Sequence, residues 1–149
     1  HHYFGGKEDL ILATMRHLLA EFGGVVVEGL RVANGPRARV SAIIRGSFGP
    51  EQFHRATISA WLTFYAKALA SPEAARLLKV YQRRLHSNLK HALRDIASAS
   101  EADRLAYGIG ALIDGVYLRE ALAGARTEPT AAIAIVEDYV DAQLKGRAA

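Results

Sequence analysis

At 149 residues and 16.2 kDa the chain has the length of one domain, and with 50% hydrophobic and 23% charged residues it reads as globular rather than disordered. It contains no cysteine, which excludes disulfides, thiolate metal sites and a cysteine nucleophile. The net charge of +4 is compatible with a polyanion nearby, but the arginines are scattered along the chain rather than massed in a tract.

No uninterrupted apolar run approaches the roughly 18 residues that cross a bilayer, and the N-terminus is polar and Gly-rich. The expectation is a soluble, cytoplasmic protein with no membrane partner. A first helix is expected from near Lys7 to about Asn34, with Glu8 and Asp9 in the turn where the helix dipole favours acids. Leu12, Met15, Leu18 or Leu19, Phe22 and Val25 or Val26 recur at helical spacing, and Gly23-Gly24 predicts a bend. Asn34-Gly35-Pro36 stops that helix and starts a short one, Arg37 to Ser47, with Val40, Ile43 and Ile44 inward.

Gly49-Pro50 begins an aromatic helix, Glu51 to Leu69. It carries Trp61, the only tryptophan. Phe64 and Tyr65 lie three and four residues on, so the three rings share one helix face. Two readings fit such a face: core packing, or an aromatic box whose ring faces attract an organic cation. Ser71-Pro72-Glu73 is a start signal, a Ser cap followed by Pro and an early acid, for a helix to about Ala97. Ser100-Glu101-Ala102-Asp103 opens the next, which runs to Gly124, with Asp103 approximating a capping box. Pro129 begins the last, which ends near Lys145. No strand-like alternation of useful length occurs, so the fold class is all-α, with six helices.

Little in the chain points to catalysis. The six histidines are dispersed without metal-ligand spacing. Glu137, Asp138 and Asp141 cluster where a solvated helix face is expected. Gly108-Ile109-Gly110 lies inside a helix, not after a strand, so it is no dinucleotide loop. No catalytic residue, metal or cofactor is expected, and the protein is not read as an enzyme. Gly110, Ala111 and Gly115 are small residues that let another backbone come close. With Ile133, Val136 and Val140 of the last helix they suggest a homodimer; the other reading is that this pair closes the monomer's core. Asp114 stands alone in an apolar run, and a buried lone acid is costly. It needs a partner: an internal hydrogen bond, an arginine such as Arg119, or a bound cation.

Tyr3-Phe4-Gly5-Gly6-Lys7-Glu8-Asp9-Leu10 resembles the YF-x-x-K-x-x-L junction of TetR-family repressors, where the DNA-reading helix meets the ligand domain. Three further segments are similar to the BetI-type branch, regulators of the choline-to-glycine-betaine pathway. They are His2 to Lys7, then Ala60-Trp61-Leu62-Thr63-Phe64-Tyr65 with Arg83-Arg84-Leu85-His86-Ser87-Asn88-Leu89, then Ala111-Leu112-Ile113-Asp114-Gly115-Val116-Tyr117-Leu118-Arg119. The branch often carries Trp where this chain has Tyr65 and Tyr117; both changes keep a ring.

The resemblance implies a TetR-type C-terminal ligand-binding and dimerisation domain over residues 7–149. Residues 1–6 would be the exit of a DNA-binding headpiece whose helix-turn-helix is otherwise missing. It implies a homodimer, an operator DNA held at its phosphates by Tyr3 and Lys7, and a choline-like effector that releases the DNA. The effector pocket would use Trp61, Phe64, Tyr65, Asp114 and Tyr117. The alternatives are a regulator of another lipophilic or cationic ligand, or a helical small-molecule-binding protein with no DNA role.

Overall fold

Proline and glycine set most element boundaries in the computed structural model, which describes residues 6–124 and 129–145. Helix α1 spans Lys7–Val32 and stops just before Gly35, whose φ of 98° suits only glycine well. Helix α2, Pro36–Ser47, begins on the proline, whose missing N–H costs nothing in a first turn. The Gly23-Gly24 pair does not interrupt α1. The aromatic segment divides: Pro50–Phe53 forms a 3-10 turn, His54 is extended, and α3 covers Arg55–Ala68. Phe53 therefore lies off the helix that was expected to begin at Glu51.

Helix α4, Pro72–Leu93, is capped as expected, with Ser71 Oγ accepting from the Ala74 N–H at 3.3 Å. Helix α5, Ala99–Leu122, is capped by Ser98 rather than Ser100. Ser98 Oγ accepts the Glu101 N–H at 3.3 Å, so the cap sits two residues earlier than expected. Asp103, assigned to the cap in sequence, instead accepts from His86 at 2.9 Å and Lys90 at 3.3 Å, both on α4. Gly124 follows α5 at φ 74°, and α6 covers Pro129–Leu144. Among the described residues the fold is six α-helices and no strand.

The core joins faces of all six helices, with Met15, Ile44, Phe48, Phe64, Leu89 and Ile109 essentially sealed from solvent. Two glycines let α1 and α2 close on each other. A Cβ on Gly46 would stand 3.2 Å from Val26 Cγ2, and one on Gly29 3.3 Å from Ala42 Cβ. Helix α1 is apolar enough over Asp9–Val32 to match a membrane span by length and composition alone, despite lacking one long apolar run. It nevertheless works as a bundle helix: Leu12, Met15 and Val26 are buried, while Arg16, His17, Glu21 and Glu28 are exposed.

Arg37 clamps α2 to α6. Its Nη2 donates to Glu137 Oε1 at 2.6 Å, its Nε to Asp141 Oδ1 at 2.9 Å and its Nη1 to Ser41 Oγ at 2.9 Å. Burial alone would lower the Arg37 pKa, but the two carboxylates raise it on balance. Glu137 and Asp141 are thus partners in an interhelical clamp rather than members of a purely solvated face.

Candidate functional site

Every helix except α6 sends a residue to one small cavity. Trp61 and Tyr65 come from one face of α3, as their four-residue spacing requires, and Tyr81 comes from the middle of α4. Phe22 of α1 and Ile113, Asp114 and Tyr117 of α5 complete most of the wall, with Ser47 and Gln52 at one side. The rings touch in sequence. Trp61 lies 5.5 Å from Tyr65 and 5.2 Å from Tyr81, and Tyr81 lies 5.9 Å from Phe22, all centroid to centroid and tilted. Tyr117 is fixed by donating to the Gln52 carbonyl at 2.7 Å and by tilting against Phe53 at 5.3 Å. The 3-10 turn that displaced the start of α3 is what presents Gln52 to Tyr117.

Among the described residues, Asp114 is the one acid in this wall. Its only hydrogen bond among the described residues is a long one, accepted from the Tyr81 hydroxyl at 3.4 Å. No cation pairs with it there, and Arg119 lies exposed on the same helix. Burial raises the Asp114 carboxyl from the usual carboxylate range to about 6, with the Tyr81 hydrogen bond pulling weakly the other way. The phenols respond alike. Burial, then the charge of Asp114, pushes Tyr65 and Tyr81 upward, and burial takes Tyr117 to about 12. At neutral pH the wall is three neutral phenols, an indole and a phenyl ring around a carboxylate that is mostly charged.

The space enclosed is about 310 Å³ including its opening. At its centre it narrows to room for about one water. Ring faces and an anion suit a cation that cannot donate strong hydrogen bonds. Nothing in the wall resembles a nucleophile with a base, and among the described residues no group of three or more His, Cys, Asp or Glu could hold a metal.

Of the five residues expected in the pocket, Trp61, Tyr65, Asp114 and Tyr117 converge. Phe64 does not: it is fully buried behind Trp61, edge to face at 6.1 Å, and belongs to the core. Phe22, Tyr81, Ser47 and Gln52 were not anticipated. Tyr81 and Phe22 sat in apolar stripes that also hold ordinary core residues, and spacing alone does not say which member of a stripe borders a space.

The residues expected at a dimer face also divide. Val136 and Val140 are buried within the chain itself, and Ile133 is partly buried against the core. Gly110 faces Leu85 of α4, where an added Cβ would stand 3.6 Å from Leu85 Cδ2. Close approach of α5 and α6 falls instead to Gly108, where a Cβ would stand 2.7 Å from the Tyr139 hydroxyl. Ala111 and Gly115 do lie on an open face, in line with the exposed Tyr107, Leu118 and Leu122. Tyr3 lies outside the described residues, as does the Lys7 side chain, although Lys7 opens α1.

Comparison with known proteins agrees with this architecture. The chain is similar to an HTH-type transcriptional regulator BetI of Brucella suis biovar 1 (strain 1330), 52% identical over 147 residues, 99% of this chain and 74% of the relative. The BetI regulator of Rhizobium meliloti (strain 1021) is 48% identical over 145 residues, 97% of this chain and 71% of that one. The fold matches a crystal structure of a transcriptional regulator from Rhodococcus sp. Rha1, with a TM-score of 0.80 at 20% identity over 97% of this chain and 76% of that one. A regulator from Pseudomonas aeruginosa PAO1 matches at a TM-score of 0.83 and 24% identity over 97% and 73%. A family model described as "BetI-type transcriptional repressor, C-terminal" covers residues 36–145. Matched by that model over most of its length and half-identical to these regulators, the chain belongs to the BetI-type branch of the TetR-family transcriptional repressors.

Proposed function

We propose that this chain is the ligand-binding and dimerisation domain of a repressor that senses choline or a related quaternary amine and lets go of its operator when the amine binds. Residues 7–149 form that domain in this reading, and residues 1–6 are the exit of the DNA-binding headpiece. Regulators of this family dimerise and bind operator DNA, which places their work in the cytoplasm. The observation that carries the effector is Asp114, a half-buried acid with no cationic partner among the described residues, set among Trp61, Tyr65, Tyr81 and Tyr117. A permanent trimethylammonium supplies the missing charge and asks for no hydrogen bond.

The pocket is narrower than such a group, so binding has to move its walls outward. Phe22 is the wall residue on α1, and α1 runs N-terminally to the headpiece junction. From Phe22 back to Lys7 is a lever of roughly 22 Å at 1.5 Å per residue. Displacement at Phe22 changes the spacing of two headpieces that must meet successive major grooves. Calorimetric titration with choline and with its uncharged tert-butyl isostere tests the effector. Choline should bind at least roughly tenfold tighter, given about 0.5–2 kcal/mol for each desolvated ring contact. Equal affinity for the two would reduce the aromatic wall to core packing.

A further inference from the structure

We infer that the groove between α1 and α4 is a second ligand site, one that takes an amphipathic anion such as an alkyl carboxylate. The groove is distinct from the aromatic cavity but shares Phe22 and Tyr81 with it as a common wall. It measures about 770 Å³ with its mouth included. Its floor is apolar, built from Leu19, Val26, Ile43, Leu77 and Leu85, with the half-exposed Val80 at the edge. That floor suits an alkyl chain.

Its polar complement has one sign. Arg16 of α1 and Arg84 of α4 line it, both exposed, and neither has an acidic partner among the described residues. Among the described residues no acid lines the groove, and Asn88 adds a neutral donor. Among the described residues the aromatic cavity has the opposite character, with an acid and no base. A carboxylate suits the two guanidinium groups, which would repel a quaternary amine.

Gly23 is the second independent feature. A glycine in mid-helix costs about 1 kcal/mol against alanine. No close approach demands it, since a Cβ there would meet nothing within 4 Å. What its missing side chain does is leave the groove open. The same fact lets Gly23→Leu start without a clash at Cβ and reach into the groove, while the helix gains a better former.

The test is titration of the chain with decanoate and with decanol, read by calorimetry and by the fluorescence of Trp61. The single tryptophan lies 5.2 Å from Tyr81, so it reports on the shared wall. Decanoate should bind in the micromolar range and decanol at least about tenfold more weakly. Gly23→Leu, with its helical circular dichroism retained, should lower decanoate affinity at least about tenfold, and the double variant Arg16→Ala with Arg84→Ala should bring decanoate down to decanol. Asp114→Asn should abolish the preference for choline over its uncharged isostere while leaving the preference for decanoate over decanol in place, so failure of the cation reading and failure of this one are separable even though the two sites share Tyr81. No decanoate binding at about millimolar concentration, equal binding of acid and alcohol, or decanoate binding unchanged in Gly23→Leu would each overturn the second site.

Discussion

In the function proposed above, Trp61 and Asp114 divide the recognition of a cation between them. Trp61 supplies the ring with the strongest quadrupole, so Trp61→Ala should weaken choline binding roughly tenfold or more, and Trp61→Phe by less. Asp114 supplies a charge that depends on pH. Its carboxyl titrates at about 6 in the folded chain because burial disfavours the ion. Choline affinity should therefore fall as pH drops through about 6, by at most about tenfold per unit, until it levels off near the affinity of Asp114→Asn, which should itself be flat with pH. Stability of the ligand-free chain runs the other way. The unfolded acid ionises near 3.8, so the raised folded value contributes stability that is complete below that pH and lost as pH rises through about 6. The loss is on the order of 3 kcal/mol, and denaturant melts at pH 4 and pH 7.5 should show it in the parent and not in Asp114→Asn. A choline affinity independent of pH from 5 to 8 would remove Asp114 from the site.

The helices themselves were largely legible, because their stops are chemical: Gly35, Pro36, Ser71-Pro72, Gly124 and Pro129 each do something to the backbone that few other residues do. Register at the caps was less so. Ser98-Ala99-Ser100-Glu101 offers two serines, and only the third residue after each decides which one meets a free N–H. The structure uses Ser98, so Ser98→Ala should cost about 1 kcal/mol in a urea melt and Ser100→Ala close to nothing. A larger loss at Ser100 would mean that the helix starts later than Ala99. The aromatic face of α3 was legible as a face, but its division was not. Trp61 and Tyr65 border the cavity while Phe64 is sealed behind them, since that outcome depends on what α4 and α5 place opposite. The Arg37 clamp was invisible for the same reason: Arg37 and Glu137 are a hundred positions apart, and periodicity carries no information across that distance.

At the scale of the molecule, two open features remain, the start of α1 and the outer face of α5. In a chain carrying the headpiece, Lys7→Ala should weaken binding to every operator sequence alike and lower the salt slope by about one; a loss confined to one base position would contradict a phosphate contact. The outer face of α5 is a stripe of Tyr107, Ala111, Gly115, Leu118 and Leu122, at steps of four, four, three and four. Tyr107 is 74% exposed and Leu122 63%. Ile135, 49% exposed on α6, adds an apolar residue to the outer surface of the terminal pair. We propose that a second copy of the chain covers this stripe by symmetry, the small residues at its centre letting the two α5 helices come close. A stable pair needs about 1,200–2,000 Å² buried in total. Gly115 separates this idea from ordinary folding. Within one chain a Cβ there meets nothing within 4 Å, so Gly115→Arg should leave the chain folded, with its helical circular dichroism retained. In a dimer the same arginine would stand between the two helices. Gly110 offers no such separation, because it already faces Leu85 within the chain. Sedimentation should therefore give a dimer for the parent at micromolar concentration and a folded monomer for Gly115→Arg, with Leu122→Glu acting likewise. A parent that sediments as a monomer, or a Gly115→Arg variant that dimerises as tightly as the parent, would move the interface away from α5.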